Sequence, residues 1–220
     1  MSRHRPRWST HSRARLLRVS RRIQRGSRAL APHRLVAKGV QPELQLDVLR
    51  QVRRPILVAC DTMNFWIERK REALWRVLEQ VDVLIINDGE ARALGGHPNL
   101  TQVARETLAR GPKHLVIKRG EYGVLLFNHK QTFAAPAFPL EQVQDPTGAG
   151  DTFAGGFMGY LAATSNLSEA SIRQAVVFGS VMASFTVEAF SLDRLRALDY
   201  KEIEARFREF KRLTHFEDLL

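Results

Sequence analysis

From Gln41 onward, short continuous apolar runs alternate with longer stretches in which apolar residues recur every three or four positions. The first pattern predicts a strand buried on both faces, and the second an amphipathic helix. Leu44, Val48, Leu49 and Val52 make a helical stripe across Pro42 to Arg53. Ile56 to Ala59, directly after Pro55, predicts a buried strand. Arg69 to Gln80, with Leu74, Trp75, Val77 and Leu78, predicts a second helix, and Val83 to Ile86 a second strand. Glu90 to Leu94 and Leu100 to Arg110 predict short helices around a Gly95-Gly96-His97-Pro98 break. His114 to Lys118 predicts a third strand, and Val124 to Phe127 with Gln131 to Ala135 a hairpin across Asn128-His129-Lys130. An apolar, helix-compatible run spans Phe153 to Ala163. Ser168 caps a further helix to about Ser184, and Tyr200 to Leu213 predicts a charged amphipathic helix. Together these elements predict an α/β fold with a mainly parallel sheet covered on both faces. Ligands of such sheets bind beyond the carboxyl ends of the strands. Asp61 and Asn87 each stand just past a predicted strand.

Composition changes this picture at one end only. The net charge of +11 is concentrated in residues 1–38, which hold twelve Lys or Arg and no Asp or Glu. The remainder holds 22 basic and 23 acidic residues, so the body is nearly neutral. The Arg-rich, Ser-rich segment 1–38 buries too little apolar surface to offset chain entropy and is expected to be a disordered tail, with the folded domain over 39–220. Three roles compete for the tail: phosphate contacts with nucleic acid, a targeting presequence, or translated sequence never selected to fold. Few aromatics interleave its charges, which counts against nucleic acid, and the third role is favoured. No run of about 18 apolar residues predicts a membrane helix. The single cysteine, Cys60, excludes an intrachain disulfide and fits a reducing, cytoplasmic setting, with Cys60 as buried filler. The seven histidines show no metal-binding spacing.

The chemistry concentrates in Asp145-Pro146-Thr147-Gly148-Ala149-Gly150-Asp151-Thr152-Phe153-Ala154-Gly155-Gly156-Phe157. Small residues at 148–150 let a ligand approach the backbone, and the helix that follows presents unsatisfied N–H groups and partial positive charge to an anion. A carboxylate at Asp151 beside such a site suits a base that takes a proton from an attacking hydroxyl. An ordinary turn with Asp as helix cap is the plainer alternative. Asn87-Asp88-Gly89-Glu90 suits either a hydrated Mg²⁺ near phosphates or simple helix capping. Lys118-Arg119-Gly120-Glu121-Tyr122-Gly123 reads as a turn that a ligand could approach closely. Ala175, Val176, Gly179, Met182 and Ala183 form a stripe that suits core packing.

The 145–157 string resembles the C-terminal signature of the PfkB/ribokinase family of carbohydrate kinases, and the resemblance extends over roughly Val40 to Ser191. It implies a ribokinase-like three-layer αβα fold and an ATP-dependent phosphotransferase acting on a sugar or nucleoside hydroxyl. It implies Asp151 as catalytic base and the amides of Gly148, Ala149 and Gly150 as an anion hole. By the same resemblance Asn87, Gly120 and Gly123 are ATP contacts, and Glu90 holds Mg²⁺ through water. The stripe around Ala183 would then wall the adenine pocket. A monovalent cation and a homodimer are compatible with the family; a membrane partner is not expected. Asp61-Thr62-Met63-Asn64 is similar to the family's Asp-x-Asn segment, though Trp66 stands where many members have arginine, and Lys118 stands where many have a smaller residue. The matched region corresponds to the family's C-terminal half. The first strands of the sheet, the Gly-Gly sugar-binding segment and the β-lid find no counterpart, so a truncated chain with an exposed sheet edge is expected. An inactive nucleotide-binding remnant is the alternative that follows from this.

Overall fold

The computed structural model describes residues 33–36, 40–51 and 55–215. Six strands form one sheet in sequential order: β1 (His33–Val36), β2 (Leu57–Asp61), β3 (Val83–Asn87), β4 (His114–Lys118), β5 (Val124–Asn128) and β6 (Thr132–Ala135). The first four run parallel, and β5 and β6 complete the sheet antiparallel. The helices are α1 (Pro42–Gln51), α2 (Asn64–Arg69), α3 (Arg71–Leu78), α4 (Asp88–Gly95), α5 (Leu100–Leu108), α6 (Ala149–Thr164), α7 (Glu169–Thr186), α8 (Asp193–Ala197) and α9 (Tyr200–Leu213).

Strand periodicity divides the apolar residues between two cores. Val58, Cys60, Leu84, Ile86, Leu115 and Ile117 point to one face, where they meet Leu46, Leu74, Leu78, Leu94 and Val103 from α1, α3, α4 and α5. Leu57, Ala59, Val83, Ile85, Val116 and Leu126 point to the other, against Phe153, Phe157, Ile172 and Phe185 of α6 and α7, with Phe210 of α9. Each Val, Leu, Ile or Phe side chain among these contributes about 1.5–3 kcal/mol when fully buried. This is the three-layer α/β arrangement that continuous apolar strands predict.

Several predicted boundaries shift. β2 starts one residue late and continues through Asp61, because the parallel ladder to β3 extends to the Asp61–Ile85 pair. Asp61 and Asn87 are therefore the last residues of their strands. The helix predicted from Arg69 begins at Arg71, and a break at Lys70 (φ −136°, ψ 39°) separates it from α2, which the sequence reading did not predict. The Lys70 ammonium is held there by Glu43 at 3.0 Å and Gln41 at 3.1 Å. In α1 the buried face carries Gln45 and Leu46, whereas Leu44 and Val48 of the predicted stripe are about half exposed (49% and 48%). Phe65 and Ile56 are likewise half exposed. His33–Val36, within the stretch expected to be a tail, pairs with β2; residues 1–32, 37 and 38, on which the rest of that expectation falls, lie outside the described residues. Among the described residues no helix is long and apolar enough to cross a membrane.

Candidate functional site

The carboxyl ends of β2, β3 and β4 open into a cleft of about 850 Å³. Asp61, Asn87 and Lys118, the last residues of those strands, line its floor. Asn87 and Lys118 are direct neighbours in the parallel ladder. Gly120, Glu121 and Gly123 line one side, and Ala149, Gly150 and Phe153 bring in the start of α6. The site thus lies where a mainly parallel sheet ordinarily binds its ligand.

Asn87 and Glu90 form a reciprocal capping box at the start of α4. The Glu90 N–H donates to Asn87 Oδ1 at 2.7 Å, and the Asn87 N–H donates to Glu90 Oε2 at 2.8 Å. The plain capping role is therefore realised in full. It does not exclude a ligand role, because both residues also line the cleft. Among the described residues no three His, Cys, Asp or Glu side chains group closely enough to cage a metal. Mg²⁺ rarely asks for such a cage; it keeps several waters and takes one or two carboxylates beside substrate phosphates. Glu90, only 7% exposed and at the cleft, suits that mode.

Gly148 has φ 82°, a left-handed backbone that turns the chain into α6 without a side-chain cap. Asp145 braces the approach: its Oδ1 accepts the Thr147 N–H at 2.9 Å, and hydrogen bonding from the Thr147 side chain, then from that N–H, holds its carboxyl below the ordinary aspartate range. The Gln144 N–H donates to Val187 O at 2.8 Å, tying the loop to the end of α7. Of the three residues expected as an anion hole, Ala149 directs its N–H to Pro146 O at 3.2 Å. Gly150 lines the cleft, and Gly148 is not among the lining residues. Asp151 lies in the first turn of α6 with an exposed side chain and does not itself line the cleft.

The two loop glycines differ in role. A Cβ on Gly120 would meet nothing within 4 Å, whereas one on Gly123 would stand 2.1 Å from Ala135 O. Gly123, at φ 85°, is thus required by the packing of β5 against β6, whatever it does for a ligand. Of the helix stripe expected beside the base, Ala175, Val176 and Gly179 are buried and Ala183 alone lines the cleft. Core packing accounts for most of that stripe.

Two parts of the site escaped the sequence reading. The stretch from Ala137 to Val143, with Phe138, Pro139 and Leu140, forms one wall, and Ser180, Ser184 and Val187 of α7 and its cap form another. The only forewarning was an apolar run broken by Pro136 and Pro139 after the hairpin. The second is an ion pair inside the cleft, Lys118 Nζ to Asp61 Oδ2 at 3.7 Å.

A family model described as pfkB family carbohydrate kinase matches residues 35–195. A cytidine kinase of Thermococcus kodakarensis is 33% identical over 122 residues, which make up 54% of this chain and 44% of that kinase. The chain thus spans less than half the length of this curated relative. Among solved structures, a ribokinase from Thermotoga maritima aligns with a TM-score of 0.66 at 24% identity, over 81% of this chain and 57% of that one. Arabidopsis thaliana ribokinase complexed with ribose and ATP aligns with a TM-score of 0.67 at 22% identity, over 80% of this chain and 55% of that one. The fold is ribokinase-like, and the chain belongs to the pfkB family of carbohydrate kinases.

Proposed function

We propose that this chain binds Mg·ATP in the strand-end cleft and transfers the γ-phosphoryl group to a hydroxyl of a sugar or nucleoside. The observation that carries the reading is the convergence of Asn87, Glu90, the Gly120–Gly123 loop and the first turn of α6 on one cleft. The related ribokinase complexed with ribose and ATP supports this choice of ligands. In the proposed reaction Asp151 takes the proton of the acceptor hydroxyl. That oxygen forms a bond to the γ-phosphorus while the bond from phosphorus to the β-bridging oxygen breaks, releasing ADP. N–H groups at the start of α6, including that of Gly150, carry the charge on the transferred group. Asn87 orients the phosphates, and Glu90 is the residue that would hold Mg²⁺ through water. When bound, that ion supplies neutralisation of phosphate charge.

Replacing Asp151 with Ala tests the assignment. ADP release would be measured against a panel of sugars and nucleosides, beside equilibrium binding of Mg·ATP. A base lost from the reaction lowers turnover by about 10²–10⁴-fold, and ATP affinity should change little. Wild-type turnover in the variant would remove Asp151 from the role.

A second reading is favoured by the exposure of Asp151 outside the cleft lining: a nucleotide-binding protein without transfer activity. Tight Mg·ATP binding with no ADP produced on any acceptor would select it.

A further inference from the structure

The cleft contains one cation that neither capping nor core packing explains. The Lys118 side chain is only 16% exposed, and its recorded partner among the described residues is Asp61, itself 5% exposed, at 3.7 Å. That separation is too long for a hydrogen bond. Elsewhere in this chain an exposed lysine closes on its carboxylate at 2.7 Å, as Lys113 does on Asp82. Asp61 is not waiting on the lysine, since its Oδ1 accepts the Thr62 N–H at 2.8 Å. The same ammonium stands 3.1 Å from the point that a Cβ on Gly150 would occupy. Glycine at 150 therefore leaves the space in which the ammonium rests against the first turn of α6.

That location is electrostatically adverse in the empty site. The start of a helix carries partial positive charge, and a cation there is repelled. Removal from water adds to the cost, and a carboxylate held at 3.7 Å offsets it only in part. Two positive features thus converge on one floor, where Asp61 holds the ammonium only loosely; Asp88, Glu90 and Glu121 also line the cleft. An anion entering between them would satisfy both, and a doubly charged phosphate oxygen set is the anion that this cleft is read to take.

We propose that Lys118 is a phosphate-binding residue of this site, parked on Asp61 when the cleft is empty and transferred to a terminal phosphate of the nucleotide on binding. The proposal rests on the nucleotide reading above and adds the residue that carries the charge. Asp61 is then the competitor for the ammonium, and its removal should favour the ligand. A purely structural ion pair makes the opposite demand, because losing either partner harms the same site.

The test uses the full chain, with Mg·ATP titrated by calorimetry and adenosine scored by competition with a fluorescent ATP analogue. K118M should weaken Mg·ATP by about 10- to 100-fold, the scale of one lost charge-assisted contact, and leave adenosine unchanged. K118R, which keeps the charge, should recover most of the loss. D61N should tighten Mg·ATP by a few fold. The proposal is overturned if K118M binds Mg·ATP as the wild type does, if K118M loses adenosine equally, or if D61N weakens Mg·ATP as K118M does. In each of those cases the nucleotide reading itself survives on wild-type binding. A wild-type chain that binds neither Mg·ATP nor adenosine overturns both.

Discussion

The capping box at the start of α4 permits a clean separation of fold from function. Asn87 Oδ1 accepts the Glu90 N–H at 2.7 Å, and Glu90 Oε2 accepts the Asn87 N–H at 2.8 Å. Replacing Asn87 with Ala removes the first of these bonds and leaves a helix N–H without its acceptor, which costs about 1 kcal/mol. For a chain of this size that lowers Tm by roughly 2–4 °C. Replacing Glu90 with Gln keeps a carbonyl oxygen for the Asn87 N–H, since Gln serves in the same motif. The unliganded Tm of E90Q should then stay within about 1 °C of wild type. The ligand response should behave in the opposite way. A nucleotide at a hundredfold excess over its Kd adds about 2.7 kcal/mol, a rise of roughly 5–10 °C. In wild type, part of that rise should vanish with EDTA; in E90Q, EDTA should change nothing further. Melting curves of wild type, N87A and E90Q, each with ATP, with Mg·ATP and with EDTA, suffice. The reasoning fails if E90Q keeps the full Mg²⁺-dependent increment, or if its unliganded Tm falls as far as that of N87A.

Two further perturbations concern residues in and behind the cleft. Gly123 and Gly148 share a left-handed backbone (φ 85° and 82°), but an added Cβ meets Ala135 O at 2.1 Å in the first and nothing within 4 Å in the second. G148A should cost only the backbone strain, about 1–2 kcal/mol, and G123A clearly more, about 3 kcal/mol or above; equal denaturation midpoints would refute the comparison. Arg206 stacks over Phe185 at 3.6 Å and Phe138 at 4.8 Å, donates to Ser184 Oγ at 3.1 Å and pairs with Glu188 at 2.5 Å. Glu188 keeps Arg194 at 2.9 Å as a second partner. R206M should therefore cost about 2 kcal/mol, less than a lone buried pair, and weaken ATP several-fold by loosening the Phe138–Ser184 end of the cleft; a variant as stable as wild type would refute it.

The fold was largely legible because its strands are buried on both faces. Val83 to Ile86 and His114 to Lys118 stand out as apolar runs that need no partner to be recognised, and they set the sheet. The orientation of α1 was only partly legible: Leu49 of the predicted stripe does pack on the core, but Leu44 and Val48 line up with it as well as Leu46 does until the packing against α3 chooses Leu46. Within the site, Asn87, Glu90 and Gly150 were visible as polar or small residues at strand ends and a helix start, where local chemistry repeats in one segment. The meeting of Lys118 with Asp61 was not, since it joins residues 57 positions apart through the register of three strands. Nor could the chain foretell that the Ala149 N–H would turn to Pro146 O, which depends on the φ that Gly148 adopts.

The same packing bears on whether the α6 end of the cleft, where the phosphates are proposed to bind, must await a ligand to form. A Cβ on Gly156 would meet Met182 Cγ at 3.0 Å and Gly179 Cα at 3.1 Å, and one on Gly179 would meet Phe153 O at 2.8 Å. Helices α6 and α7 therefore approach backbone to backbone, and their mutual position is fixed by contacts inside the core. The loop entering α6 is in turn bonded to the end of α7 through Gln144 and Val187 O. The turn at Gly148 is thus held from behind by a helix pair and from the side by Asp145, with no anion needed to shape it. Donors fixed in advance do not have to reorganise when charge moves, which is the condition under which they act most strongly on a transferred phosphoryl group. It also means that nucleotide binding should not depend on the acceptor. Mg·ATP titrated with and without a saturating acceptor should give the same affinity within about twofold. A strong dependence would place the assembly of this turn after acceptor binding and remove the argument for a preformed site.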